Sequence, residues 1–132
     1  MVEEPRVYLT NSAPQDQLQP KNFSVPYMKP GGDLPQVSPR LFDLDNMREI
    51  PVDSQPIENQ WNLSRWKWSD DSTRITFLYN KRGHQELKWM SLDAETGKLA
   101  AVITEKSETF INYSDKTYIQ ELPKTREVIW MS

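Results

Sequence analysis

From Trp66 to Phe77 the chain reads WKWSDDSTRITF, with large side chains at alternate positions on either side of a polar knot. Side chains of a strand point alternately to opposite faces, so a period of two predicts strand, turn, strand. The pattern continues in both directions and predicts a meander. Leu63–Trp68 is the first strand and SDDST (69–73) its turn, because Asp and Ser bond back to their own backbone. Arg74–Asn80 is the second strand, with Ile75, Phe77 and Tyr79 on one face and Thr76 and Leu78 on the other. Both faces are largely apolar, which predicts a strand covered on both sides. KRGH (81–84) is a polar turn in which Gly83 can take a positive φ. Gln85–Leu92, the turn DAETGK (93–98) and Leu99–Thr104 complete four strands, and Tyr118–Leu122 with Glu127–Met131 begin another pair. A helix competes for Asp93–Glu105. Gly97 and the run Val102-Ile103-Thr104 favour strand there.

Ten prolines stand against four glycines, and the prolines crowd the first half, Pro5 to Pro56. Proline lacks a backbone donor and is excluded from helix interiors and central strands. Residues 1–60 are therefore expected to be extended and punctuated, and residues 61–132 regular. Five Trp and five Tyr argue against disorder. Lys and Arg number 16 against 19 Asp and Glu, so no basic excess points to a nucleic-acid groove. No apolar run is long enough to span a bilayer, and no signal-peptide pattern is read at the N-terminus. Without cysteine there is no disulfide, thiol nucleophile or thiolate metal site.

Residues 41–52, LFDLDNMREIPV, share a plan with 89–102, WMSLDAETGKLAAV: an apolar strand ending in Leu-Asp, a polar turn, a basic residue and a second strand. Leu44-Asp45 recurs as Leu92-Asp93 after about 48 residues, within the period range of propeller repeats. Such a unit is a small four-stranded sheet that buries its faces only against its neighbours.

Trp68 to Phe77, as W-x-x-D-x-x-x-I-x-F, and Leu92–Gly97 resemble blade elements of the prolyl oligopeptidase clan. More closely, the chain resembles the N-terminal β-propeller of dipeptidyl peptidase IV-like serine peptidases. Val25–Gly31 resembles that family's Tyr-Pro-Lys-x-Gly segment, and Pro35-Gln36-Val37 and Leu41–Leu44 come after it at about the family's spacing. Trp68 and Arg74–Gln85 resemble its Trp strand and Asn-Arg hairpin. Glu127–Ser132 resembles the strand entering its Ser-Glu-Arg-Asp-Gly-Trp motif. The resemblance implies an all-β fold of antiparallel four-stranded meanders, equivalent to about one to two blades of an eight-bladed propeller. It implies an internal piece of a longer parent: residues 1–60 an extended segment and hairpin ending one blade, 61–105 a complete blade, 106–132 the start of the next.

The resemblance also implies that the segment is non-catalytic. No Gly-x-Ser-x-Gly elbow occurs among Gly31, Gly32, Gly83 and Gly97. The family's triad lies in a C-terminal α/β-hydrolase domain, which would be the partner in the same parent chain. Its paired glutamates, which hold the substrate's amino terminus, would precede residue 1. Glu3-Glu4 lacks their aromatic context and is read as a solvated charge pair. His84, the single histidine, is expected to be an exposed turn residue, because a triad needs a base, an orienter and a nucleophile. Asp43, Asp45, Asp70 and Asp71 could offer metal ligands, Asp43 and Asp45 from one strand face, but hard cations need more oxygens in a defined loop. Turn formation is the preferred role. No catalytic, cofactor or metal residue is assigned. Asn22-Phe23-Ser24, Asn62-Leu63-Ser64 and Asn112-Tyr113-Ser114 match the glycosylation pattern and matter only in a eukaryotic secretory context.

In the resembled family the Pro5–Pro39 region includes an arm that contributes to dimerisation. Val7, Tyr8, Leu9, Phe23, Val25 and Tyr27 would be its apolar contacts. A proline-protected edge strand and linker is the plainer alternative. The parent implied is a serine peptidase releasing dipeptides from peptide N-termini, periplasmic or secreted to the cell surface and homo-oligomeric. This segment would wall its substrate chamber and support dimerisation. A stand-alone propeller or sandwich binding module without peptidase activity is the alternative, and a related tripeptidyl or acyl-aminoacyl peptidase a third. An isolated pair of blades would expose apolar strands, so oligomerisation or marginal stability is expected of the chain alone.

Overall fold

The computed structural model describes residues 4–132. They form ten strands and one turn of 3-10 helix, all sheets are antiparallel, and there is no α-helix among the described residues. The chain divides into two compact units, the second beginning at Gln36.

The first unit is a hairpin. Strand β1 (Arg6–Asn11) pairs with β2 (Lys21–Pro26), and Arg6 lies opposite Pro26. The Tyr27 N–H donates to the Pro5 carbonyl at 2.9 Å and carries the pairing one step further. Arg6 crosses the strands to donate to Ser24 Oγ and to the Ser24 carbonyl, both at 2.8 Å. The strand boundaries follow the prolines, which leave Pro14 and Pro20 in the connecting loop.

In the second unit, β3 (Leu41–Asp43) and β4 (Arg48–Ile50) form a short hairpin. A 3-10 turn (Gln55–Ile57) then leads into a four-stranded sheet in sequential order. Its strands are β5 (Gln60–Trp68), β6 (Arg74–Lys81), β7 (Glu86–Asp93) and β8 (Leu99–Lys106). A last hairpin, β9 (Tyr118–Leu122) and β10 (Glu127–Met131), completes the chain. The expected meander is present, with β5 starting three residues earlier than the alternation alone predicts. Gln60 extends it by pairing with Lys81, while the side-chain amide of Gln36 donates to the Gln60 carbonyl and accepts from its N–H. The buried Gln60 side chain donates in turn to Val37 O at 2.7 Å.

Both faces of the sheet are covered. On one, Leu63, Phe77, Tyr79, Met90, Leu92 and Leu99 pack with Ile57, and Val52 and Ile75 lie at the margin. On the other, Leu78, Leu87 and Trp89 pack with Ile111 and with Ile119, Val128 and Trp130 of the last hairpin. Two indole–carboxylate bonds tie that hairpin down in opposite senses. Trp89 Nε1 donates to Glu121 at 3.2 Å, and Trp130 Nε1 donates to Glu105 at 2.7 Å.

The turns explain the internal repeat and correct its register. Asp93 Oδ1 accepts from the Glu95 and Thr96 N–H groups and from the Thr96 hydroxyl. Asp43 Oδ1 accepts from Asp45 and Asn46 N–H in the same way. Asp43, not Asp45, is therefore the counterpart of Asp93, and Asp45 lies in the turn rather than on a shared strand face. Met47 (φ 51°) then matches Gly97 (φ 72°), each followed by the basic residue, Arg48 or Lys98. The sequence repeat Leu-Asp aligns two residues away from the repeat defined by backbone bonding.

Candidate functional site

On the first hairpin the register sorts the six expected arm contacts. Val7 faces Val25 and Leu9 faces Phe23, so these four share one side, and the Pro5–Tyr27 bond places Tyr27 with them. Tyr8 pairs with Ser24 and lies on the opposite, polar face with Thr10 and Asn22. Phe23 and Tyr27 are about half exposed, and Tyr8 is 82 % exposed. Five of the six residues thus form one apolar stripe on a two-stranded ribbon, an element of marginal stability in isolation. Glu4 is exposed ahead of β1, and Glu3 lies outside the described residues.

In the second unit, the tryptophans that open the meander are only partly covered. The ladder slips between Ser64 and Lys67, where Arg65 adopts φ 56°. The extra residue breaks the simple alternation expected for Trp66 and Trp68. Trp66 is turned onto Phe77, its ring stacked at 4.2 Å and 20°, while Trp66 and Trp68 keep about half their surface in solvent. A bulge re-aims side chains in this way, and it also roughens the free edge of β5. Arg65 itself reaches the Thr117 carbonyl at 3.4 Å.

Of the four aspartates considered as metal ligands, all lie in or beside turns, and Asp43 and Asp71 bond within theirs. Asp71 accepts from Ser69 Oγ (2.7 Å), Thr73 Oγ1 (2.8 Å) and the Thr73 N–H (3.2 Å), and these bonds bring its carboxyl down to about 2. Hydrogen bonds from Asn46 hold Asp43 below its usual range, and those from Thr96 do the same for Asp93. Among the described residues no group of three or more His, Asp or Glu side chains is placed to hold a metal ion.

Two charged groupings do converge. Arg40 forms a two-pronged bridge to Glu49 at 2.8 and 2.7 Å. Glu86 is approached by Lys88 at 2.6 Å, Lys106 at 3.7 Å and Lys81 at 3.9 Å. Burial pushes the Glu86 carboxyl up, but the three lysines outweigh it and hold the group below its usual range. Beside it the Tyr79 hydroxyl donates to the Glu58 carbonyl at 2.7 Å, and burial, aided by the Glu86 charge, raises its pKa to about 12. These groups are engaged with one another rather than poised as a free acid–base pair.

His84 departs from expectation. It lies in the turn between β6 and β7 as predicted, at φ 58°, but it is half-buried rather than exposed. Its ring stacks on Tyr113 at 4.3 Å and 23°, meets Trp61 and Phe110 edge-on at 5.3 and 5.7 Å, and bonds through Nδ1 to Asn80 Oδ1 at 3.1 Å. The turn is polar in sequence. The rings that cover it come from residues more than twenty positions away on either side, so no local pattern signals the cluster.

The family model described as the dipeptidyl peptidase IV (DPP IV) N-terminal region matches residues 3–132. No curated protein matches the chain.

Proposed function

The chain belongs to the dipeptidyl peptidase IV N-terminal region family, and from that premise we propose that it is a non-catalytic propeller segment of a serine exopeptidase. In this role it helps to wall the chamber in which peptides meet a C-terminal α/β-hydrolase domain of the same parent chain. The observation that carries this reading is the four-stranded sheet covered on both faces, with the 3-10 turn on one side and the last hairpin on the other. A blade between neighbouring blades has this form. The parent is periplasmic, secreted or held at the cell surface, where peptide substrates are met. Sequencing the gene on both sides of the segment tests the proposal. A downstream Gly-x-Ser-x-Gly followed by Asp and His is expected. A stop codon close after codon 132 with an authentic start at Met1 would remove the peptidase and leave a free-standing binding module.

The stripe of Val7, Leu9, Phe23, Val25 and Tyr27 supports a second part of the proposal, that the hairpin is an arm contacting another copy of the parent. Tyr8, on the other face, contributes little to that contact. Placing aspartate at both Leu9 and Phe23 buries two charges in such an interface, each costing several kcal/mol unless paired. The doubly substituted intact protein is expected to sediment as a monomer where the parent sediments as a dimer. An unchanged sedimentation profile would exclude the arm from the dimer contact.

A further inference from the structure

The loop after β8, residues 107–117, is fastened to the turn between β6 and β7 at several points. The Ile111 N–H donates to the His84 carbonyl at 2.9 Å, the Ser107 N–H to the Gln85 carbonyl at 3.0 Å, and the Gln85 side chain to the Glu108 carbonyl at 2.9 Å. Ile111 inserts into the second core cluster beside Leu87 and Trp89. Phe110 and Tyr113, on either side of Ile111, close on the His84 ring, and Trp61 at the start of β5 closes from a third direction. One imidazole thus joins three stretches of chain far apart in sequence.

We propose that His84 is a pH-sensitive latch that holds the loop 107–117 against the β6–β7 turn when neutral and loosens it when protonated. The Asn80 Oδ1 atom accepts a hydrogen bond, so Nδ1 carries the proton of the neutral ring and Nε2 is the atom protonated at lower pH. Three aromatic rings pack 4.3 to 5.7 Å from the imidazole, and burial lowers its pKa from the ordinary value. The charged groups on the surrounding elements are Lys81, Arg82 and Glu86 around the turn, Glu58 ahead of β5, Lys106 at the end of β8, and Glu108, Asp115 and Lys116 in the loop. Among the described residues, no carboxylate forms an ion pair with the ring. Glu86, the nearest acid in sequence, is already engaged by Lys81, Lys88 and Lys106.

The direction of the effect is set by linkage. Above the ordinary histidine range both the closed and the open chain are neutral at His84, and the latch is at full strength. As pH falls through that range, the open form takes up a proton that the closed form resists, so closure weakens until the lowered pKa of the closed form is reached. A histidine stacked and bonded in this way converts acidification into release of one loop without unfolding the sheet.

Hydrogen exchange of peptides covering 107–117, measured on the intact protein between about pH 8 and about pH 5 and corrected for intrinsic rates, tests this. The unsubstituted protein is expected to exchange this loop severalfold faster at the acid end, with β6 and β7 unchanged. His84→Phe keeps a ring to stack, and His84→Asn keeps a polar partner for Asn80 and suits the left-handed backbone. Neither takes up a proton, and both are expected to lose the pH dependence. Equal acid-induced exchange in either folded variant overturns the latch, as does a pH-independent loop in the unsubstituted protein.

Discussion

Gly97→Ala is expected to destabilise the chain by roughly 2–5 kcal/mol, about 1–2 from placing an L-residue in the left-handed region and about 1–3 from overpacking. Gly97 holds φ 72°, and a Cβ built there would lie 2.1 Å from the Pro51 carbonyl oxygen and 3.2 Å from the Ile50 side chain. The obstacle is backbone, which cannot swing aside as a side-chain tip can. Gly83→Ala provides the comparison, because φ is 89° there but nothing lies within 4 Å of the added carbon. It should carry only the backbone part of the cost. Thermal melts of the two variants separate the effects, with Gly97→Ala melting well below Gly83→Ala. Equal melting temperatures would show that the turn and the segment after β4 are not held in contact.

Phe77→Ala is the second large effect, expected at about 3–5 kcal/mol because an aromatic removed from a closed core leaves a cavity. Phe77 is fully buried among Leu63, Met90 and Leu92, and its ring underlies Trp66. Loss of the stack should also change tryptophan fluorescence before any unfolding. Tyr8→Ala, at an 82 % exposed position, should move stability by no more than about 0.5 kcal/mol in the monomer. Urea titration of both variants measures the difference. A loss below about 1 kcal/mol for Phe77→Ala would mean that this face of the sheet is not a closed core.

Much of this architecture is legible because the alternation survives in the residues that face inward. Ile75, Phe77 and Tyr79 against Thr76 and Leu78 predicted a strand with two covered faces, and the two core clusters divide along that line. The β9 and β10 bounds also emerge from the pattern alone. Three features escaped it for physical reasons. The bulge at Arg65 depends on a non-glycine residue taking a left-handed conformation, which composition does not announce. The repeat looked like Leu-Asp because those letters recur, whereas the structure repeats the bonding of an aspartate that closes a turn, which sits at Asp43 and Asp93. The surroundings of His84 are assembled from Trp61, Phe110 and Tyr113, and only the paths of β5 and of the loop after β8 bring them together. Apolarity does not separate the six residues expected on the arm, and strand parity removes Tyr8 from the stripe that the others form.

The paired indole–carboxylate bonds, Trp89 to Glu121 and Trp130 to Glu105, have a consequence for angular precision. Apolar packing tolerates small rotations, since contact area changes little as one surface slides over another. A hydrogen bond does not, because its strength falls steeply once distance and direction drift. Two such bonds running in opposite senses resist rotation both ways, so the hairpin meets the sheet at one setting. In a ring built from successive units, an error at each junction would be multiplied around the circle. In the propeller proposed above, a polar brace of this kind at each joint would keep that error small.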